Sequence, residues 1–195
     1  MIRHSKTEGN EQRRYIGRTD QPLSESGIEL AREAAKVYAR EIDEPDEVYV
    51  TPLMRTQMTA QILFPHAKQI VVDGLREMDF GIFEGRNADE MKDDAAYREW
   101  VAGMCRGSCP EGEKKDEFSE RVCHAFSKLV HEEAAQKDML VMVLHGGTIM
   151  SICERYALPK TDFYDIFLTN CQGVMLEAAC DGDSLKLTNR RIFTI

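Results

Sequence analysis

The chain has 195 residues, of which 43% are hydrophobic and 30% are charged. This composition supports one folded domain spanning residues 1–195, because enough apolar side chains are present to form a core. The net charge of −9 argues against nucleic acid or an anionic membrane as a partner, since both require a basic face. No apolar run is long enough to cross a bilayer and charged residues begin at position 3, so we expect a cytoplasmic protein.

Six cysteines are spread along the chain without any CxxC pair. Zinc ligands normally come in such closely spaced pairs, and disulfides are typical of oxidising compartments. We therefore expect reduced thiols that pack as small apolar side chains, and no zinc site.

The first segment predicts a very short strand, a loop and a helix. Only two residues precede the Arg3–His4 pair, and a polar loop follows as far as Pro22. Apolar residues at helical spacing then predict a helix to about Ile42. Its cap is either Ser24 or Ser26, the second of which fits a capping box.

The middle of the chain alternates between strand and helix patterns. The predicted elements are strands over residues 47–50 and 69–72, helices over about 52–64, 87–102 and 116–133, and an irregular segment over 74–85. Residues 84–115 are expected to form a cap-like excursion over one edge of the domain.

The apolar run from Met139 to Leu144 predicts a strand that is buried on both faces. A helix through about Tyr156 follows, and residues 174–179, 184–188 and 191–195 predict closing strands. Strands that alternate with helices predict an α/β domain, with a mostly parallel sheet sandwiched by helices.

Two of the five histidines directly follow predicted strands, where open α/β sheets bind their ligands. His4 comes after Arg3, and His145 precedes the small residues Gly146 and Gly147. The planar fork of an arginine binds two phosphate oxygens at once, which makes Arg3 a candidate for an anion site. Arg55 lies early in a helix, where anions are favoured, but its position alone fits an ordinary solvated charge equally well.

Residues 3–10, Arg-His-Ser-Lys-Thr-Glu-Gly-Asn, resemble the RHGxTxxN signature of the histidine phosphatase (phosphoglycerate mutase-like) superfamily. Further segments resemble the family's other motifs, in the family's order and over nearly the whole chain: residues 17–27, residues 51–60 (SxLxRAxxTA), residues 75–85 (LxExxFGxxEG), residues 110–122 (PxGES…RV) and residues 144–147 (HGG). A single motif would be weak, whereas this many in the right order make the resemblance specific. It implies the same phosphoglycerate mutase-like fold that the alternating pattern predicts.

The resemblance implies the catalytic roles residue by residue. His4 would be the nucleophile that accepts the phosphoryl group, and His145 would complete the pocket. Glu77 would first protonate the leaving alkoxide and then activate water. Nearby arginines should lower the pKa of His4 and keep it neutral, whereas Glu77 needs a raised pKa to hold its proton. No metal or other cofactor is implied.

The resemblance also implies the binding residues. The phosphate oxygens would be bound by Arg3, Asn10 and Arg55, and the candidates for further substrate contacts are Thr7, Arg18, Thr19 and Gly146. Selectivity is expected from residues 84–112. The apolar side chains there that could form a wall against the leaving group are Met91, Tyr97, Trp100 and Met104, although packing is the commoner role for such residues.

Two features depart from the family pattern. Ser5 replaces a glycine beside the nucleophile, and its Cβ would disfavour a positive φ there. Because serine is small, we expect activity to survive. Family members usually have several apolar residues before the Arg-His pair, and only Met1 and Ile2 stand there here, so either the first strand is short or the given start is late. With a short strand, the register of His4 would depend on very few ladder bonds.

The chain is short in the region where mutases of the family carry an insertion, which favours a phosphatase. The residues around Lys6–Asn10 and Tyr15–Asp20 resemble those of bacterial α-ribazole-phosphate phosphatases of cobalamin synthesis. The expected partner is a small phosphomonoester, with a homodimer left open. The alternatives are a phosphoglycerate mutase-type phosphotransferase that depends on 2,3-bisphosphoglycerate, and an inactive protein that binds a phosphorylated ligand.

Overall fold

The computed structural model describes residues 1–133 and 135–195. The strands in these ranges are β1 (Ile2–Arg3), β2 (Glu47–Val50), β3 (Lys68–Val71), β4 (Val141–Leu144), β5 (Gly173–Asp181) and β6 (Ser184–Phe193). The α-helices are α1 (Glu8–Glu11), α2 (Glu25–Glu41), α3 (Met54–Leu63), α4 (Ala88–Met91), α5 (Ala95–Ala102), α6 (Lys115–Glu133) and α7 (Gly146–Tyr156).

The strands form one sheet in the order β3-β2-β4-β1-β5-β6. The four strands β3, β2, β4 and β1 run parallel to one another. β5 pairs antiparallel with β1, and β6 pairs antiparallel with β5. The expectation of a mostly parallel α/β sheet with helices around it is therefore confirmed.

The short strand β1 lies between β4 and β5 in the middle of the sheet. Arg3 is directly opposite Leu144 on β4, and the N–H of His4 donates to the carbonyl of Leu144 at 2.9 Å. Because β1 and β4 are parallel, both strands end at the same edge of the sheet. His4 and His145, which are one residue beyond that aligned pair, therefore emerge side by side.

Two apolar clusters cover the two faces of the sheet. One contains Tyr38, Val48 and Val143. The other, larger cluster contains Met142, Leu144 and aromatic side chains from the cap-like excursion. All four residues of β4 are buried, as expected for a strand that supplies side chains to both faces.

A cavity of about 650 Å³ lies at the amino end of β1. Its walls are formed by residues 138–142 on one side and 174–178 on the other. This cavity is at the opposite end of β1 from His4, so it is separate from the candidate active site.

Several boundaries differ from the prediction for local reasons. Ser24 caps α2, because its hydroxyl accepts the N–H of Gly27, whereas the Ser26 hydroxyl donates to Glu11. The predicted polar loop contains the single turn α1, and the predicted helix over 87–102 is two helices, the second capped by Asp94. The last two predicted strands are one continuous strand, β6. Among the described residues, no helix has the length and apolar character that spanning a bilayer requires.

Candidate active site

His4 is buried at the carboxyl end of β1. Its Nδ1 lies 2.6 Å from the backbone carbonyl oxygen of Ser5. Because a carbonyl oxygen can only accept, Nδ1 carries the proton of this bond and Nε2 keeps its lone pair. Burial holds the pKa of His4 well below its ordinary value, and the charges of Arg55 and Arg3 lower it further. The ring is therefore neutral near pH 7, with Nε2 as its basic nitrogen.

His145 presents its ring at a steep angle to that of His4, and the two ring centroids are 5.2 Å apart. Its Nδ1 lies 3.3 Å from Nε of Arg55, which can only donate. Nε2 therefore holds the proton and donates to Oγ1 of Thr51 at 2.9 Å. Burial lowers the pKa of His145 well below its ordinary value, and Arg55 adds to this shift. The two histidines are thus neutral and fixed in opposite tautomers.

Arg55 is the second residue of α3, and its side chain is buried beside His145. Nη1 donates to the carbonyl of Thr19 at 2.9 Å, and Nη2 donates to the carbonyl of Gly17 at 2.6 Å. Burial lowers the pKa of Arg55 to about 10, so the guanidinium stays charged at neutral pH. Of the two alternatives that its position left open, the structure excludes a solvated surface charge, because the Arg55 side chain is fully buried.

Arg3 is the second cation of the site; it is partly buried, and the loss of solvation lowers its pKa as well. Its Nη1 donates to the carbonyl of Leu168 at 2.6 Å, but its buried Nε has no hydrogen-bond partner among the described residues. The guanidinium carbon lies 3.5 Å from the position that a Cβ on Gly146 would occupy, so Arg3 packs directly against the first turn of α7. An unpaired buried N–H is costly, and an anionic oxygen would remove that cost.

Asn10 and Thr7 form a capping box around α1. Oδ1 of Asn10 accepts the N–H of Thr7 at 3.1 Å, and Oγ1 of Thr7 accepts the N–H of Asn10 at 3.3 Å. The amide is therefore oriented with its oxygen toward the cap. Its Nδ2 group donates to none of the described residues and is available to an anion.

Glu77 connects the irregular segment to the start of α7. Its Oε2 accepts the N–H of Gly147 at 2.9 Å, and its Oε1 accepts the N–H of Met78 at 3.0 Å. Burial raises the pKa of Glu77, although these two N–H groups and both pocket arginines oppose the shift. A Cβ on Gly147 would come within 2.5 Å of Oε1, so only glycine leaves room for the carboxyl group.

Ser5 is accommodated without strain. The φ angle of Ser5 is not positive, so the expected conflict between its Cβ and a left-handed backbone does not arise. Its hydroxyl donates to the carbonyl of Gly27 at 2.6 Å, and its N–H donates to Oγ1 of Thr59 at 2.9 Å. The serine therefore adds a buried hydrogen bond between the nucleophile loop and α2.

Arg18 and Thr19 lie on the loop that passes over Arg55. The Arg18 side chain is 70% exposed and pairs with Asp79 at 2.8 Å. The Thr19 hydroxyl donates to Glu84 at 2.7 Å, while its carbonyl accepts from Arg55. Thr19 thus supports the phosphate pocket through its backbone, and Arg18 is the more accessible of the two.

Several residues that contact the site carry no role in the sequence prediction. Asn170 donates from Nδ2 to the carbonyl of His4 at 2.9 Å, and the Phe167 ring lies 5.5 Å from the Arg3 guanidinium. Thr51, at the end of β2, accepts from His145. No local signal distinguishes Asn170 and Phe167, because they reach Arg3 and His4 only through the pairing of β5 with β1. Thr51 lies within a recognised motif, but its partner is far along the chain.

Three of the four candidates for the apolar wall take the alternative role of core packing. Met91, Tyr97 and Trp100 are buried in the core beside α6, where they pack the cap-like excursion against the sheet. Met104 is 62% exposed, and its carbonyl accepts from the hydroxyl of Tyr164 at 3.1 Å. The excursion packs against the main core, so its large apolar side chains are buried there and do not line a substrate pocket.

The carboxyl edge of the sheet brings together two neutral histidines, two arginines and a carboxyl group, an arrangement that suits an α/β protein that binds phosphate groups. The sequence profile of the Histidine phosphatase superfamily (branch 1) matches residues 1–191. The chain therefore belongs to this superfamily.

The similar proteins are named either as phosphoglycerate mutases or as phosphatases. The chain is 33% identical over 150 residues to the "Probable phosphoglycerate mutase GpmB" of Enterobacter sp. (strain 638), covering 75% of this chain and 68% of that protein. The alpha-ribazole phosphatase of Shigella flexneri has the same fold, with a TM-score of 0.79, 22% identity and coverage of 95% and 92%. A phosphoglycerate mutase from Bacillus anthracis gives a TM-score of 0.68 at 27% identity, with coverage of 79% and 77%.

Proposed function

We propose that this protein is a phosphomonoesterase that acts on a small phosphorylated metabolite through a phosphohistidine on His4. The observation that carries the proposal is the state of His4: its Nδ1 is held by the Ser5 carbonyl, so Nε2 can attack. The unpaired Nε of Arg3 lies in the same pocket and suits a phosphate oxygen.

In the first step, Nε2 of His4 forms a bond to phosphorus as the bond from phosphorus to the leaving oxygen breaks. Glu77 gives its proton to that oxygen, which leaves as an alcohol. In the second step, water attacks the phosphorus and gives a proton to Glu77, and the N–P bond breaks to release inorganic phosphate. The raised pKa of Glu77 suits both steps, because the carboxyl group must hold a proton near neutral pH.

The remaining residues would bind the transferred group. Arg3, Arg55 and the Nδ2 group of Asn10 supply donors for its oxygens, and the first turn of α7 adds the positive end of a helix dipole at Gly146. This local positive charge offsets the acidic net charge of the chain, so an anionic substrate is bound against an otherwise repulsive field.

The test is the formation and turnover of the phosphoenzyme with p-nitrophenyl phosphate. The parent protein should release nitrophenol and, after rapid quenching under alkaline conditions, carry one acid-labile phosphoryl group. His4→Ala should lose both signals, whereas His124→Ala, which alters an exposed helix residue, should retain them. Phosphoryl transfer that persists in His4→Ala would refute the assignment. A parent that binds phosphate but hydrolyses none of a broad panel would instead support the inactive binder.

The narrower substrate that we favour is α-ribazole 5′-phosphate, which would place the protein in cobalamin synthesis in the cytoplasm. It rests on the motif residues around Lys6–Asn10 and Tyr15–Asp20. The likeness to the Shigella flexneri phosphatase supports a common fold only, at 22% identity. A panel of α-ribazole phosphate, sugar phosphates and phosphoglycerates, compared by kcat/KM, tests this choice.

A mutase is the second candidate, and the 33% identity to a protein named as a phosphoglycerate mutase favours it. A mutase must keep the phosphoryl group on the enzyme until it returns to the substrate. With 3-phosphoglycerate and 2,3-bisphosphoglycerate, isomerisation that is faster than phosphate release would establish the mutase and refute the phosphatase.

A further inference from the structure

Arg121 on α6 is hydrogen-bonded to the backbone that carries Glu77. Its Nη1 donates to the carbonyls of Gly74 and Arg76 at 3.0 and 3.1 Å, and its Nη2 donates to the carbonyl of Glu77 at 3.3 Å. One side chain thus holds three carbonyl groups in the segment that leads to the carboxyl group.

Glu113 completes this arrangement on the other side of Glu77. Its carboxylate pairs with Arg121 through two hydrogen bonds of 2.8 Å, to Nε and Nη2. Its Oε2 also accepts the N–H of Asp79 at 2.9 Å, and its own N–H donates to the carbonyl of Asp79 at the same distance. The backbone is therefore held both before and after Glu77 by one ion pair.

We propose that Arg121, oriented by Glu113, is a positioning residue that aims the Glu77 carboxyl group at the leaving oxygen. This inference rests on the proposed function. In the part of the chain that the structure describes, the Glu77 carboxyl group is tied to α7 by the N–H of Gly147 alone, so its aim depends on how rigidly residues 74–79 are held. The side chains of Arg121 and Glu113 are 26% and 25% exposed. Among the described residues, Arg121 donates to Glu113 and to the backbone of residues 74–77 and to none of the proposed phosphate-binding side chains, so its effect on catalysis passes through Glu77.

Lysine cannot replace the arginine in this arrangement. A guanidinium has five N–H donors in a planar fork, and Arg121 uses them on two carboxylate oxygens and three carbonyls. An ammonium group keeps the charge but has a compact set of three donors, so Arg121→Lys would keep the ion pair and release part of the backbone.

The experiment measures kcat/KM, which reports the steps up to transfer of the phosphoryl group to His4, for a series of aryl phosphates whose phenols range from strongly to weakly acidic. Proton donation matters most for weakly acidic phenols, because their oxygens need a proton to leave. Arg121→Lys should lower the rate about 10-fold for the weakest leaving group and hardly at all for the best. This is a fraction of the roughly 100- to 10,000-fold that a general acid typically contributes, as expected if Glu77 is misplaced and not lost. Glu113→Gln should show the same trend, and adding Arg121→Lys to Glu77→Gln should cause no further loss on weak leaving groups.

Arg14→Lys is the matched control. Arg14 also pairs with a glutamate, Glu90, through two bonds of 2.7 Å and donates to a backbone carbonyl, that of Gly85, but it does not contact residues 74–79. Its kcat/KM should fall by less than about twofold across the whole series, the change expected of an interaction outside the catalytic pathway. A loss in Arg121→Lys that is uniform across the leaving groups, or no loss, would overturn the positioning role.

A second measurement does not depend on activity. The pKa of Glu77, raised by burial, can be followed by carbon NMR in the free protein. Arg121→Lys should lower it toward the ordinary glutamate value, because a looser segment lets water reach the carboxyl group. An unchanged titration would overturn the proposal even if the parent hydrolyses no phosphomonoester, so the two hypotheses fail separately.

Discussion

Thr51→Val tests the tautomer assigned to His145. Valine matches the shape of threonine but cannot accept the proton that His145 donates from Nε2 over 2.9 Å. The ring cannot simply reverse its tautomer, because Nδ1 would then present a proton to the N–H of Arg55 at 3.3 Å. The substitution therefore leaves a buried N–H without an acceptor.

The expected cost is about 1–3 kcal/mol of unfolding free energy, the penalty for an unsatisfied buried donor. For a chain of this size, that loss lowers the melting temperature by several degrees, at about 2–4 °C per kcal/mol. Urea denaturation measures the free energy, and nitrogen NMR shifts of the imidazole report which ring nitrogen carries the proton. We expect a disturbed His145 signal and a lower kcat on p-nitrophenyl phosphate.

Thr51→Ser is the matched control, because it keeps the hydroxyl and removes only a methyl group. It should retain the nitrogen shifts of His145 and most of the stability. The tautomer assignment is refuted if Thr51→Val unfolds at the same urea concentration as Thr51→Ser and leaves both imidazole nitrogens unchanged.

The other predictions concern the loop at Ser5, the start of α7 and the titration of His4. Ser5→Gly should cost about 1 kcal/mol in urea denaturation, because the buried hydrogen bond to Gly27 is lost; equal stability would show that this bond contributes nothing. Gly147→Ala should reduce kcat about 10-fold, because its Cβ would displace the Glu77 carboxyl group, whereas Gly103→Ala, whose Cβ has no contact closer than 3.5 Å, should retain kcat. His4 has a folded-state pKa below its unfolded value, so only the unfolded chain gains its proton as the pH falls below about 6.5, and stability is lost there. The unfolding free energy of His4→Gln should thus depend less steeply on pH below that value, by up to about 1.4 kcal/mol per pH unit; an unchanged slope would contradict the lowered pKa.

The alternation of elements and the placement of both histidines were predictable from the sequence. A continuous apolar run such as Met139–Leu144 indicates a buried strand, and a strand that is followed by a histidine places that histidine at the edge of the sheet. The order of the motifs then indicated the family, which the match over residues 1–191 confirmed. These features depend on short stretches of sequence, so they can be recognised without the tertiary structure.

Contacts between distant segments were not predictable in this way. The position of Arg55 in its helix did not separate a pocket residue from a solvated charge, and only the family motif assigned it to phosphate binding. Arg55 is buried because the loop at Gly17 and Thr19 folds over it. Trp100 looked like a pocket wall, but it is buried beside Phe83 and Tyr97. Periodicity shows which face of an element is apolar, and it does not show which element covers that face.

The sequence by itself determined the α/β alternation, the superfamily and the residues that could handle phosphate. Only the tertiary structure decided which nitrogen of each histidine carries a proton, which arginine nitrogen is left unpaired, and which side chains hold Glu77. Those properties depend on partners such as Leu168 for Arg3 and Gly147 for Glu77. Such partners come within hydrogen-bonding distance only when the sheet packs, so their positions in the sequence do not predict the contact.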